Sequence, residues 1–67
     1  MTAITLNGEP RSVGDGVTLA DLIATMAVPP QALATAINGE FVPRETRAQV
    51  PLREGDAIDT FQPITGG

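Results

Sequence analysis

The chain closes on Gly66-Gly67, two residues without side chains in front of a carboxylate. With glycine at about 7% of average composition, such a pair falls at a given place in roughly 0.5% of chains. Glycine adopts nearly any φ/ψ and fits a narrow channel. An acyl group at such an end can enter an active site that a folded domain cannot. A frayed end without function is the ordinary alternative.

The rest of the composition points the same way. The 67 residues include no cysteine and no histidine. That excludes a disulfide framework, a thiolate metal site and a thiol nucleophile, and it removes the usual general base and commonest metal ligand. The chain is poorly equipped for catalysis of its own, so chemistry at Gly67 would draw on a partner's groups. Four arginines face eight carboxylates, for a net charge of −4. An acidic chain without a basic cluster suits neither nucleic acid nor an anionic membrane. Lysine is absent, so the chain offers no side-chain amine for its own activated end to acylate. No signal peptide or membrane-length apolar run is legible, which suggests the cytoplasm.

A scaffold must present that end, and the length allows one domain. Thr2–Leu6 alternates as a half-buried strand. Asn7-Gly8 predicts a hairpin turn, and Glu9–Val13 the returning strand, at an edge because Pro10 lacks an N–H. Thr18 caps a helix, with Asp21 three residues on as a weak capping box. Leu19, Leu22, Ile23 and Met26 form its apolar stripe, and Pro29-Pro30 stops it. A third strand runs near Thr35–Ile37. Asn38-Gly39 is a second hairpin signal before Glu40–Pro43. A two-residue turn there sets Glu40 beside Ile37 on one face; a bulge or longer loop avoids this, and the register stays open. Arg44–Arg47 is read as a solvated, turn-like segment, with Val50 and Leu52 adding apolar contacts. Glu54-Gly55-Asp56 is a turn and Ala57–Gln62 the last strand. Residues 63–67 then form a flexible tail, starting where Pro63 ends the pairing. This order describes an α+β fold, a mixed sheet of four to five strands with one helix on one face. It is the β-grasp plan, over a single domain 1–67.

The chain resembles the ThiS sulfur carriers of thiamine biosynthesis, within the ubiquitin-like β-grasp group. The resemblance rests on Leu6-Asn7-Gly8, the helix entry Val17–Leu22, the run Ala36–Arg44, and Glu54-Gly55-Asp56 with Asp59–Gly67. Pro63 departs from it, since the tail of thiamine-pathway carriers often has an aliphatic residue there. A proline in that stretch is similar to MoaD-type molybdopterin carriers. The resemblance implies a non-catalytic carrier whose terminal Gly67 carboxylate is adenylated by a ThiF-like partner using ATP. Sulfur from a cysteine desulfurase then converts it to a thiocarboxylate, which a ThiG-like thiazole synthase consumes. The carrier itself binds no cofactor, metal, nucleic acid or membrane. Ile64, Thr65 and Gly66 would enter the partner's active site with Gly67. A MoaD-like carrier for molybdopterin or another sulfur pathway, or a ubiquitin-like modifier, are the alternatives.

Phe61 is one of two aromatic residues. Ile58 and Thr60 share one strand face and Phe61 takes the other. The resemblance implies a docking residue for the activating enzyme at Phe61, and the alternation favours an interface there over the alternative of filling the core; Phe41 is read as core or half-buried. Arg44 and Arg47 could pair with a partner's carboxylates, although such arginines are more often solvated.

Overall fold

Two Asn-Gly turns frame the sheet. Asn7 and Asn38 both sit at φ 52°, followed by Gly8 at 84° and Gly39 at 85°. This is the left-handed pair that a tight type I′ turn needs to match strand twist. In the computed structural model, which describes residues 1–26 and 28–62, the first turn joins β1 (Thr2–Leu6) to β2 (Glu9–Val13). The second joins β3 (Ala34–Ile37) to β4 (Glu40–Val42). The expected tail, 63–67, lies outside the described residues.

The strand order is β2-β1-β5-β3-β4, with β5 (Ala57–Phe61) at the centre. β5 runs parallel to β1 and antiparallel to β3, which makes the sheet mixed. Pro10 stands on the edge strand β2, opposite Thr5, where a missing N–H costs the ladder nothing. The open question at the second turn resolves in favour of two residues, with Ile37 opposite Glu40. Because β4 is an outer strand, the Glu40 carboxylate stays exposed.

The helix α1 (Leu19–Ala24) carries a full capping box. Thr18 Oγ1 accepts from the Asp21 N–H at 3.2 Å, and Asp21 Oδ2 accepts from the Thr18 N–H at 3.1 Å. The helix ends well before the proline pair expected to stop it. The Thr25 and Met26 N–H groups bond to Leu22 and Ile23, three residues back, at 3.1 Å each. Thr25 Oγ1 donates to the Leu22 carbonyl at 2.7 Å. These contacts tighten the last turn and consume the carbonyls that a further α-turn would use. Met26 lies past the helix yet still packs on the core.

That core is Ile4, Leu6, Leu19, Leu22, Ile23, Leu33, Leu52 and Ile58. It sits between α1 and one face of the sheet. Residues 50–52 close its side: Val50 O accepts from the Leu19 N–H, and the Leu52 N–H donates to Val17 O, both at 2.9 Å.

Arg44–Arg47 departs most from expectation. It opens a 3₁₀ helix, Arg44–Gln49, and Arg47 is buried at 3% exposure rather than solvated. Arg47 Nε donates to Thr35 Oγ1 at 3.1 Å, Nη1 to Pro30 O at 3.0 Å, and Nη2 to Leu33 O. Thr35 Oγ1 in turn donates to Val42 O at 3.0 Å. The planar fork thus ties the 3₁₀ turn Pro30–Ala32, β3 and β4 together. Burial lowers its pKa from the ordinary guanidinium value, and the Arg44 charge acts in the same direction against Glu45. Arg47 is therefore not available to a partner's carboxylates.

Replacing Arg47 by Ala takes the guanidinium donor from Leu33 O and the second donor from Pro30 O, and leaves Thr35 Oγ1 only its bond to Val42 O, at about 1–3 kcal/mol for a buried group left unpaired. For a domain this small the Arg47→Ala melting temperature should fall by about 10 °C or more. Arg47→Lys should fall less, since one ammonium reaches only part of the acceptor set. An Arg47→Ala melt matching the parent would remove Arg47 from this role.

Candidate docking face and tail root

The sheet face opposite α1 carries no covering element among the described residues. Directly paired residues share a face, so register defines what is displayed there. One row runs Phe41, Ala36, Asp59 across β4, β3 and β5, and the next pairs Ala34 with Phe61. Phe41 is 68% exposed and Phe61 56%. Two strand spacings and two residue rises put their Cα atoms about 12 Å apart. Between them lie Ala34 and Ala36, too small to fill the gap, so two aromatic rings flank a shallow apolar floor.

Phe41 thereby departs from the expectation of a core or half-buried ring. The cause is register. Val42 and Glu40 occupy the rows of Thr35 and Ile37, which leaves only the open face for the residue between them. The tight-turn reading of Asn38-Gly39 already contained this consequence. Phe61 points away from the core, as the alternation with Ile58 and Thr60 requires; Ile58 is fully buried.

Phe61 is the final residue of β5. Ile64, Thr65, Gly66 and Gly67 lie outside the described residues, as does Pro63. Around the root of that segment the neighbours are polar: Asn7 and Thr60 on the β1 side, and Asp59 on the open face. Arg44 is exposed. Among the described residues no group of three His, Cys, Asp or Glu side chains could hold a metal ion, and no helix is long and apolar enough to cross a membrane. The described face thus displays two exposed aromatic rings, Phe41 and Phe61.

A hairpin, a helix, a second hairpin and a central last strand make this a β-grasp domain. A crystal structure of the thiamine biosynthesis protein ThiS from Geobacter metallireducens has the same fold. It matches with a TM-score of 0.85 at 23% identity, covering 98% of this chain and 100% of that one. The sequence model of the ThiS family matches residues 4–67. The sulfur carrier protein ThiS of Escherichia coli K12 is 36% identical over 64 residues, 96% of this chain and 97% of that protein. Two thiazole synthases, from Paramagnetospirillum magneticum and Magnetococcus marinus, are 31% and 38% identical over 64 residues. The chain spans only 20% of the length of each. This chain belongs to the ThiS family.

Since Phe41 makes its contacts at the surface, Phe41→Ser should lower the melting temperature by less than about 5 °C. A loss as large as that of a core truncation would place the ring back among the buried side chains.

Proposed function

We propose that this protein is a sulfur carrier for thiazole formation in thiamine biosynthesis, with Gly67 as the loaded residue. The similarity to the E. coli sulfur carrier over 96% of this chain, with a family match that runs through Gly66 and Gly67, carries this reading. The two thiazole synthases that contain a stretch similar to this chain support a thiazole synthase as the acceptor, over a molybdopterin enzyme.

The chemistry follows from what the chain has and lacks. A carboxylate resists attack until one oxygen becomes a leaving group. Adenylation with ATP by a ThiF-like partner supplies that, releasing pyrophosphate. A persulfide sulfur, originating from a cysteine desulfurase, then attacks the acyl carbon and expels AMP. Freeing a thiocarboxylate from the resulting acyl disulfide consumes a second thiol. The chain has no cysteine, so both thiols belong to partners and the carrier contributes no catalytic group. Its own part is presentation. Phe61, joined by Phe41 on the open face, docks on the activating enzyme as an aromatic anchor within a polar surround. Ile64, Thr65 and Gly66 accompany Gly67 into the active site.

After coexpression with an adenylating enzyme and a desulfurase, a thiol-alkylating reagent should give one adduct, at Gly67. With no cysteine to compete, that adduct reports the thiocarboxylate. Intact mass alone would not, because exchanging oxygen for sulfur nearly matches oxidation of a methionine to its sulfoxide. Failure to form the adduct, with conjugates to other proteins instead, would make the chain a modifier.

Deleting Gly67 should abolish loading and leave the melt unchanged, because a terminal residue without a side chain contributes little stability, and among the described residues the core side chains run from Ile4 to Ile58. A truncated chain that unfolds would make the segment structural.

Phe61→Ala should weaken binding to the activating enzyme about tenfold or more, the range for truncating an aromatic anchor, with a melt shifted by only a few degrees. Unchanged binding with a large stability loss would return Phe61 to a packing role.

A further inference from the structure

β5 leaves the sheet beside an asparagine whose side chain continues the ladder. On the β1 side, the Thr5 N–H donates to Asp56 O at 2.9 Å and the Asn7 N–H to Ile58 O at 2.8 Å. The next rung needs an acceptor for the Thr60 N–H, but the backbone turns away at Asn7, where φ is 52°. The Asn7 side chain takes its place. Its Oδ1 accepts from the Thr60 N–H and its Nδ2 donates to Thr60 Oγ1, both at 2.9 Å. Thr60 is thus held on one side by an amide that mimics a backbone and on the other by its pairing with Thr35.

Asn38 does the same at the entrance to β5. Its N–H donates to Ala57 O at 2.8 Å, its Oδ1 accepts from the Ala57 N–H at 3.0 Å, and its Nδ2 donates to Asp56 Oδ1 at 3.1 Å. The two asparagines share one dihedral, one turn type and one bonding pattern. One stands where the chain enters the strand and the other where it departs.

We propose that Asn7 is a positioning residue for the terminal acyl group, fixing Thr60 and Phe61 as the root from which that group is presented. The proposal rests on the carrier reading above. Gly67 lies six positions after Phe61, and covalent geometry limits that span to about 20–22 Å. Fraying Thr60 and Phe61 adds about 7 Å to that limit. It also detaches the Phe61 ring from its place beside Ala34. A partner that grips the open face and holds the acyl carbon at a set distance accepts only the pinned form. The apparent affinity then falls with the fraction of molecules that are pinned.

Asn7→Gly is the informative variant, since glycine keeps the left-handed turn and loses only the side-chain bonds. Asn38→Gly is its matched control. Adenylation is followed by ATP–pyrophosphate exchange with the activating enzyme. Thr60 amide hydrogen exchange and thermal melts are measured in parallel. Asn7→Gly should raise the KM for the carrier about fivefold with kcat within about twofold, and speed Thr60 exchange about tenfold. Asn38→Gly should show a similar melt and a parental KM. Asn7→Asp keeps an acceptor for the Thr60 N–H and should restore KM to within about twofold of the parent. Equal KM for the parent and Asn7→Gly, an equal rise in Asn38→Gly, or unchanged Thr60 exchange overturns the proposal alone. A parent chain that is never adenylated overturns the carrier reading, and this proposal with it.

Discussion

Within the sheet, the two hairpins are joined through β5. β1 and β2 lie on one side of it and β3 and β4 on the other. Each hairpin is local, closed by a two-residue turn, whereas the parallel pairing of β1 with β5 joins the two ends of the domain. That pairing has only two registered positions, Thr5 with Ala57 and Leu6 with Ile58. Closing so long a loop costs entropy before any contact offsets it. Ile58, with no exposed surface, is the contact that does so, because it meets Leu6 and Ile37 from the two hairpins at once. Which sheet face is open, and where the chain leaves it, both follow from β5 being central.

Arg47 meets a second requirement. Before β3, Pro30 O accepts from the Leu33 N–H within its own 3₁₀ turn, and Arg47 adds a second donor there and one to Leu33 O. A guanidinium supplies several in one plane. Its cost is desolvation, visible in the lowered pKa, and no carboxylate offsets that cost among its hydrogen-bond partners. Hydrogen bonds to three acceptors compensate instead, and the described residues contain no buried side-chain nitrogen or oxygen without a partner. In a domain with so few buried apolar residues, a polar tie of this kind carries a large share of the tertiary order.

Local chemistry made much of this fold legible. Asn-Gly specifies its turn through φ alone, Thr18 and Asp21 specify the helix start through two hydrogen bonds, and Pro10 specifies an edge through a missing donor. The outward direction of Phe61 followed from strand alternation. The misses share a different cause. Arg47 lies in a polar run whose local pattern reads as solvated, and only the distant Pro30, Leu33 and Thr35 give it a burial site. The helix end depends on Thr25 competing for a carbonyl, which the later prolines masked. Phe41 was readable once the turn was set at two residues, but an apolar side chain on a short strand is by default assigned to the interior. In the sequence, Asn7 and Asn38 read as turn formers. Their second task, bonding a strand remote in sequence, leaves no periodic trace.

The outer strands carry one more consequence. A sheet with long, straight margins invites neighbouring molecules to add strands without limit, the route to fibrils. Here one margin holds Pro10 and the other, β4, is only three residues long. A protein with two bare aromatic rings on its surface is thereby denied the commonest way to polymerise. Contacts between copies are left to the open face, where geometry limits their number, rather than to the rims, where strands could add without end.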